Sequence, residues 1–117
     1  MTPTTDTRLV ELKELIRIKQ ILSTEAATLT NEEIAFVKSQ LLNDYPLAHY
    51  VYAYMLIMGI GIAKNNDEAK AHLEWTFEHG DHVILNDLSN LYLILGDSKR
   101  SEECLIKAEK EAKENAF

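Results

Sequence analysis

The chain has 117 residues, 12 Lys and Arg against 19 Asp and Glu, a formal net charge of −7 and a single cysteine. A chain of this length forms one domain and buries about 65% of the surface its unfolded form exposes, enough for a core without staples. The lone Cys104 excludes an internal disulfide framework and suits a reducing compartment, while the acid excess disfavours nucleic acid and anionic membrane as partners.

The N-terminus, "MTPTTDTRLVELKELI", lacks a charged start followed by an apolar stretch and a small-residue cleavage site, so no signal peptide is expected and the expected location is cytoplasmic. Thr5, Asp6 and Thr7 offer a cap. Leu9, Leu12, Leu15, Ile16, Ile18, Ile21 and Leu22 then recur at helical spacing, which predicts a first helix from about residue 7 into the twenties. Thr30-Asn31-Glu32-Glu33 reads as a capping box and opens a second helix over about 31–43. Pro46 suits the first turn of a third helix reaching about Met58, because its fixed φ and missing donor cost nothing there.

Tyr50 to Ala63 carries no charge, yet it is shorter than the roughly 20 residues a membrane span needs, and Gly59 and Gly61 interrupt its end. A buried helix is the reading. Gly59-x-Gly61 follows a helix rather than a strand and lacks a third glycine and a Lys-Ser/Thr pair. It is therefore a turn in which the chain doubles back with φ > 0, not a phosphate loop. Asn65 to Glu68 caps a fourth helix, which Gly80 is expected to close in the left-handed conformation. Asp81 caps a fifth, Gly96-Asp97 breaks it, and a sixth runs from about Ser98 to Ala112. No segment alternates as a strand does, and the fold class expected is all-α.

Sliding the third and fourth helices onto the fifth and sixth by 36 residues sets Ala48 over Ile84, Tyr52 over Leu88, Ala53 over Ser89 and Leu56 over Tyr92. Such a period indicates stacked helix pairs. Ala48 to Asp81 resembles a Sel1-like repeat, matching at Ala48, Gly59, Gly61, Ala69 and Gly80. Leu85 to Ala108 is similar to a tetratricopeptide repeat at Leu88, Ser89, Tyr92, Gly96, Ser101, Leu105 and Ala108. His72 and Leu73 stand where the Sel1-like pattern favours an aromatic pair; Thr76, Ser89 and Ser101 replace small residues of the two patterns. The resemblance implies an α-α superhelix of about three antiparallel hairpins: an N-terminal helix pair over 1–44 (a divergent repeat or a cap), a Sel1-like repeat over 45–81 and a tetratricopeptide-like repeat over 82–114. Close helix crossings need small residues. Ala53 and Ala69 supply them, surrounded by Tyr52, Leu56, Leu73 and Phe77. Ser89 and Ser101 do the same with Leu88, Tyr92 and Leu105.

In such repeats the first helix of each pair lines a concave face. Carried over by position, the groove residues are Tyr50, Tyr54, Ile57 and Met58 of the third helix and Asn86, Asp87, Asn90 and Leu93 of the fifth. Tyrosine offers area with a polar tip, and the amides can pair with a peptide backbone. Packing of the tyrosines against the N-terminal helices is the alternative. Charge is uneven: residues 1–30 and 98–117 are balanced, while 31–97 set ten acids against Lys38, Lys64 and Lys70. A protein or peptide with a basic patch is the partner this favours.

His72, His79, Asp81 and His82 match no metal-binding spacing, Cys104 has no evident base, and neither cofactor nor catalysis is expected. Two functions remain open. One is an adaptor-like interaction module; the other is an acidic inhibitor of the immunity or antitoxin type that covers a basic toxin or enzyme. A homodimer that covers the stacking ends is compatible with both.

Overall fold

The computed structural model describes residues 5–114, the first two as backbone only. Six helices, and among the described residues no strand, run in the order α1 (Thr5–Leu22), α2 (Asn31–Leu41), α3 (Pro46–Met58), α4 (Asn66–His79), α5 (His82–Ile94) and α6 (Ser98–Glu114). None of the described helices is long and apolar enough to cross a membrane. The expected cap of α1 falls partly on side chains outside the described residues, and Thr7 lies within its first turn.

Local chemistry accounts for the other boundaries. At α2 the Glu33 amide donates to Thr30 Oγ1 at 3.1 Å and the Thr30 amide donates to Glu33 Oε1 at 2.8 Å, closing the capping box. Asn65 accepts from the Glu68 amide, Asp81 from the Ile84 amide and Asp97 from the Arg100 amide, each at 3.0 Å. Each such cap stabilises its helix by about 1 kcal/mol. α5 ends in a Schellman turn: Asp97 N donates to Tyr92 O, Gly96 N to Leu93 O, and Gly96 adopts φ 81°.

One expected terminus is built differently. Gly80 is not left-handed but extended, with φ −76° and ψ 152°. A Cβ there would stand 2.7 Å from Thr76 O of the last α4 turn and 3.3 Å from Ile84 Cγ2 of α5, so glycine is required by lack of space rather than by backbone sign. Gly59 and Gly61, by contrast, do take φ 67° and 76°, and Gly61 lies against the Ile34 side chain of α2.

The closest packing is within two antiparallel pairs, α3 with α4 and α5 with α6. Ala53 of α3 and Ala69 and Leu73 of α4 are fully buried. At the second crossing Ser89 and Ser101 are buried and their hydroxyls bond to each other at 2.9 Å. Thr76 is likewise satisfied by the carbonyl of His72 at 2.8 Å. Each of these buried hydroxyls thus has a partner. Leu105, expected to fill this crossing, is exposed.

The N-terminal helices pack mainly on α3 rather than on one another. Polar ties link them: Arg17 to Glu33 at 2.6 Å, Gln40 to Glu11 at 2.8 Å, and Tyr45 to Glu11 at 3.2 Å. α3 is consequently covered by α1, α2, α4 and α5, and nine of its 13 residues are buried. Between the two pairs, Arg100 of α6 binds Glu74 of α4 and lies 3.7 Å from the Phe77 ring centroid, while Tyr92 donates to Glu74 at 2.7 Å.

Candidate partner-binding surface

α1 packs against α3. Its Leu15, Ile18 and Leu22 join one core with Tyr50 and Ile57, which keep only 5% and 3% of their surface. Burial, with Asp87 and Tyr54 adding to it, raises the Tyr50 phenol well above the ordinary range. Lys19 of α1 closes over this place: its Nζ lies 5.5 Å from the Tyr50 ring centroid and pairs with Asp87 of α5. Tyr50 and Ile57, read from the repeat pattern as groove residues, are therefore core residues without a surface to offer. The covering helix is the physical reason.

The remaining groove candidates divide between two places. Tyr54 is half-buried, edge-on to Tyr50 at 6.2 Å, and with the exposed Met58 it borders a hollow of about 360 Å³ formed with Leu22 to Ala27 and Ile60. Asn86, Asn90 and Leu93 are exposed on α5, and Asp87 is partly covered by its pair with Lys19.

Beside them runs a trough of about 420 Å³ that sequence reasoning missed. One wall is the face of α1 carrying Arg8, Leu12, Ile16 and Lys19; the other includes Val83 and Ile84 of α5, with Pro46 and Leu47 below and His79 and Asp81 at the rim. Ile16 and Val83, at 45% and 56% exposure, are its open apolar side chains. A signal for it exists in the sequence. Leu9, Leu12 and Ile16 form a second apolar stripe of α1, offset from Leu15, Ile18 and Leu22, and a helix with two stripes has two neighbours or one neighbour and an open face. Arg8 rests over the Tyr45 ring at 5.3 Å.

The four histidines do not assemble as a ligand set. Asp81 caps α5, His79 Nδ1 is 2.9 Å from the Trp75 carbonyl, and His72 faces His49 across the α3–α4 contact. Among the described residues no three His, Cys, Asp or Glu side chains converge to hold a metal. Cys104 is buried, and burial pushes its thiol up to about 11, far from the thiolate a nucleophile needs. No family model matches the chain, and neither a curated protein nor a solved structure shows significant similarity to it.

Proposed function

We propose that the chain is a non-catalytic interaction module, built as a short superhelical stack of the tetratricopeptide and Sel1-like kind, that holds a partner protein or peptide bearing basic residues. The contact surface is the open face of α5 with the trough beside α1. One observation carries this reading: Ile16 and Val83 stand open on facing walls of one apolar trough, and the exposed amides Asn86 and Asn90 lie on the same helix as Val83. Contiguous apolar surface rimmed by polar groups is what protein interfaces use. The acid excess of residues 31–97 acts at longer range, raising the encounter rate with a basic partner and discriminating against acidic ones. The same charge supports a second reading, an inhibitor of a basic toxin or enzyme.

The test is affinity purification with the wild-type chain and with Val83→Asp, at low and high salt. The expected result is a partner retained by the wild type and lost, or reduced at least about tenfold, by a variant that melts within a few degrees of it. Equal retention by both proteins removes the trough from the reading. A tight one-to-one complex that weakens steeply with salt favours the inhibitor; weaker binding of several extended peptides favours the module.

A further inference from the structure

α3 and α4 meet through a pair of imidazoles. His49 Nδ1 and His72 Nδ1 stand 2.9 Å apart, a distance at which one nitrogen donates and the other accepts. The outer nitrogens face carboxylates: His49 Nε2 lies 3.5 Å from Asp44 Oδ1 and His72 Nε2 4.0 Å from Glu68 Oε1. His49 Nε2 is buried without a hydrogen bond of ordinary length. The arrangement that uses these groups best puts a proton on His49 Nε2, toward Asp44, and lets His49 Nδ1 accept from His72 Nδ1–H. One free lone pair is then left, on His72 Nε2. A first added proton goes there and faces Glu68. A second has nowhere to go but the contact itself, where two N–H groups would oppose each other.

We infer that the His49–His72 pair is an acid-opened latch between α3 and α4, closed while it carries at most one added proton and forced apart by the second. Other titratable groups modulate it. His79 repels positive charge on His49, and Tyr52 sits edge-on to His72 at 5.0 Å with its hydroxyl paired to Glu68. No charged side chain of α1, α2, α5 or α6 pairs with either ring among the described residues. Burial, opposed by Asp44, lowers the His49 pKa; burial and then the charge of His49, opposed by Glu68, lower that of His72. A histidine lowered on folding contributes its stability fully above the ordinary value of 6.5 and loses it as the pH falls below. Opening reaches the trough directly, because His49 and His79 both stack on Trp75, at 4.1 and 4.0 Å, and His79 lines the trough.

Trp75 is the only tryptophan, so its emission reports the latch. The full chain is titrated from about pH 7.5 to about pH 5 by fluorescence and thermal melting, beside His72→Asn, whose amide reaches the place of Nδ1 without titrating. The wild type is expected to change emission with a midpoint below that of a free imidazole and to lose about 4 °C or more in melting temperature, with both responses flattened in the variant. Identical pH curves for the two proteins overturn the latch. Should the variant fail to fold, ¹⁵N-histidine NMR of the wild type decides. Uptake of one proton by the pair, well ahead of a second, supports the latch, and two independent titrations at the ordinary imidazole value overturn it.

Discussion

Tyr50 of α3 and Asn86 of α5 hold the same place in their helix pairs, 36 residues apart, yet one is in the core and the other in solvent. The neighbours follow suit: Tyr54 is half-buried where Asn90 is exposed, and Ile57 is buried where Leu93 is open. The difference is the N-terminal helix. α1 lays Leu15, Ile18 and Leu22 against α3 and stops at α5, to which it is fastened by Lys19 and Asp87. Side-chain character follows cover. Aromatic and β-branched residues occupy the positions on α3 that are covered, and amides occupy the aligned positions on α5 that are not. The 36-residue shift aligns positions along the helices, but whether a position is covered depends on which other helix packs there.

The sharpest way to break this comparison is to truncate both members. Tyr50→Ala empties a site in the core and is expected to cost about 3 kcal/mol in urea denaturation. Asn86→Ala removes an exposed amide and stays within about 0.5 kcal/mol of the wild type. Similar losses for the two would mean that α1 does not cover α3 as described. The next effect contrasts two helix ends, that of α4 at Gly80 and that of α5 at Gly96. Gly80→Ala places a methyl 2.7 Å from the Thr76 backbone oxygen and is expected to lose about 2 kcal/mol, because the clash is with the backbone of the last α4 turn, which shifts only by giving up its own hydrogen bonds. Gly96→Ala meets nothing within 4 Å and costs only the left-handed strain of φ 81°, about 1 kcal/mol. Asn at position 96 should recover part of that, whereas Asn at 80 should recover nothing. Thermal melting of the four variants distinguishes a steric glycine from a conformational one.

Most of the scaffold was legible because caps and turns are local chemistry. Thr30 with Glu33, Pro46, Asn65, Asp81 and Gly96 mark their boundaries within a few residues of sequence. The misread element was Gly80, whose constraint is steric, from the Thr76 carbonyl four residues before it and the Ile84 side chain four residues after; a glycine at a helix end does not by itself say whether φ or space requires it. The trough was missed for a related reason. Leu9, Leu12 and Ile16 are apolar at helical spacing, and periodicity alone does not say that Leu12 and Ile16 border an opening rather than a neighbour. Leu105 stayed exposed because no helix lies beyond α6 to cover it among the described residues, whereas α3 is covered from both sides.

The smallest effect concerns the two crossings themselves. α3 and α4 bury the small residues Ala53 and Ala69, α5 and α6 bury Ser89 and Ser101, whose hydroxyls have each other as partner at 2.9 Å. Removing one hydroxyl leaves the other buried without its partner, at a cost of about 1 kcal/mol for either Ser89→Ala or Ser101→Ala. Removing both converts the second crossing to the chemistry of the first, and the double variant should return to within about 0.5 kcal/mol of the wild type. Chemical denaturation of the four proteins gives the coupling. Strictly additive losses would mean that each hydroxyl bonds a carbonyl of its own helix instead, and that the two serines are neighbours by size alone.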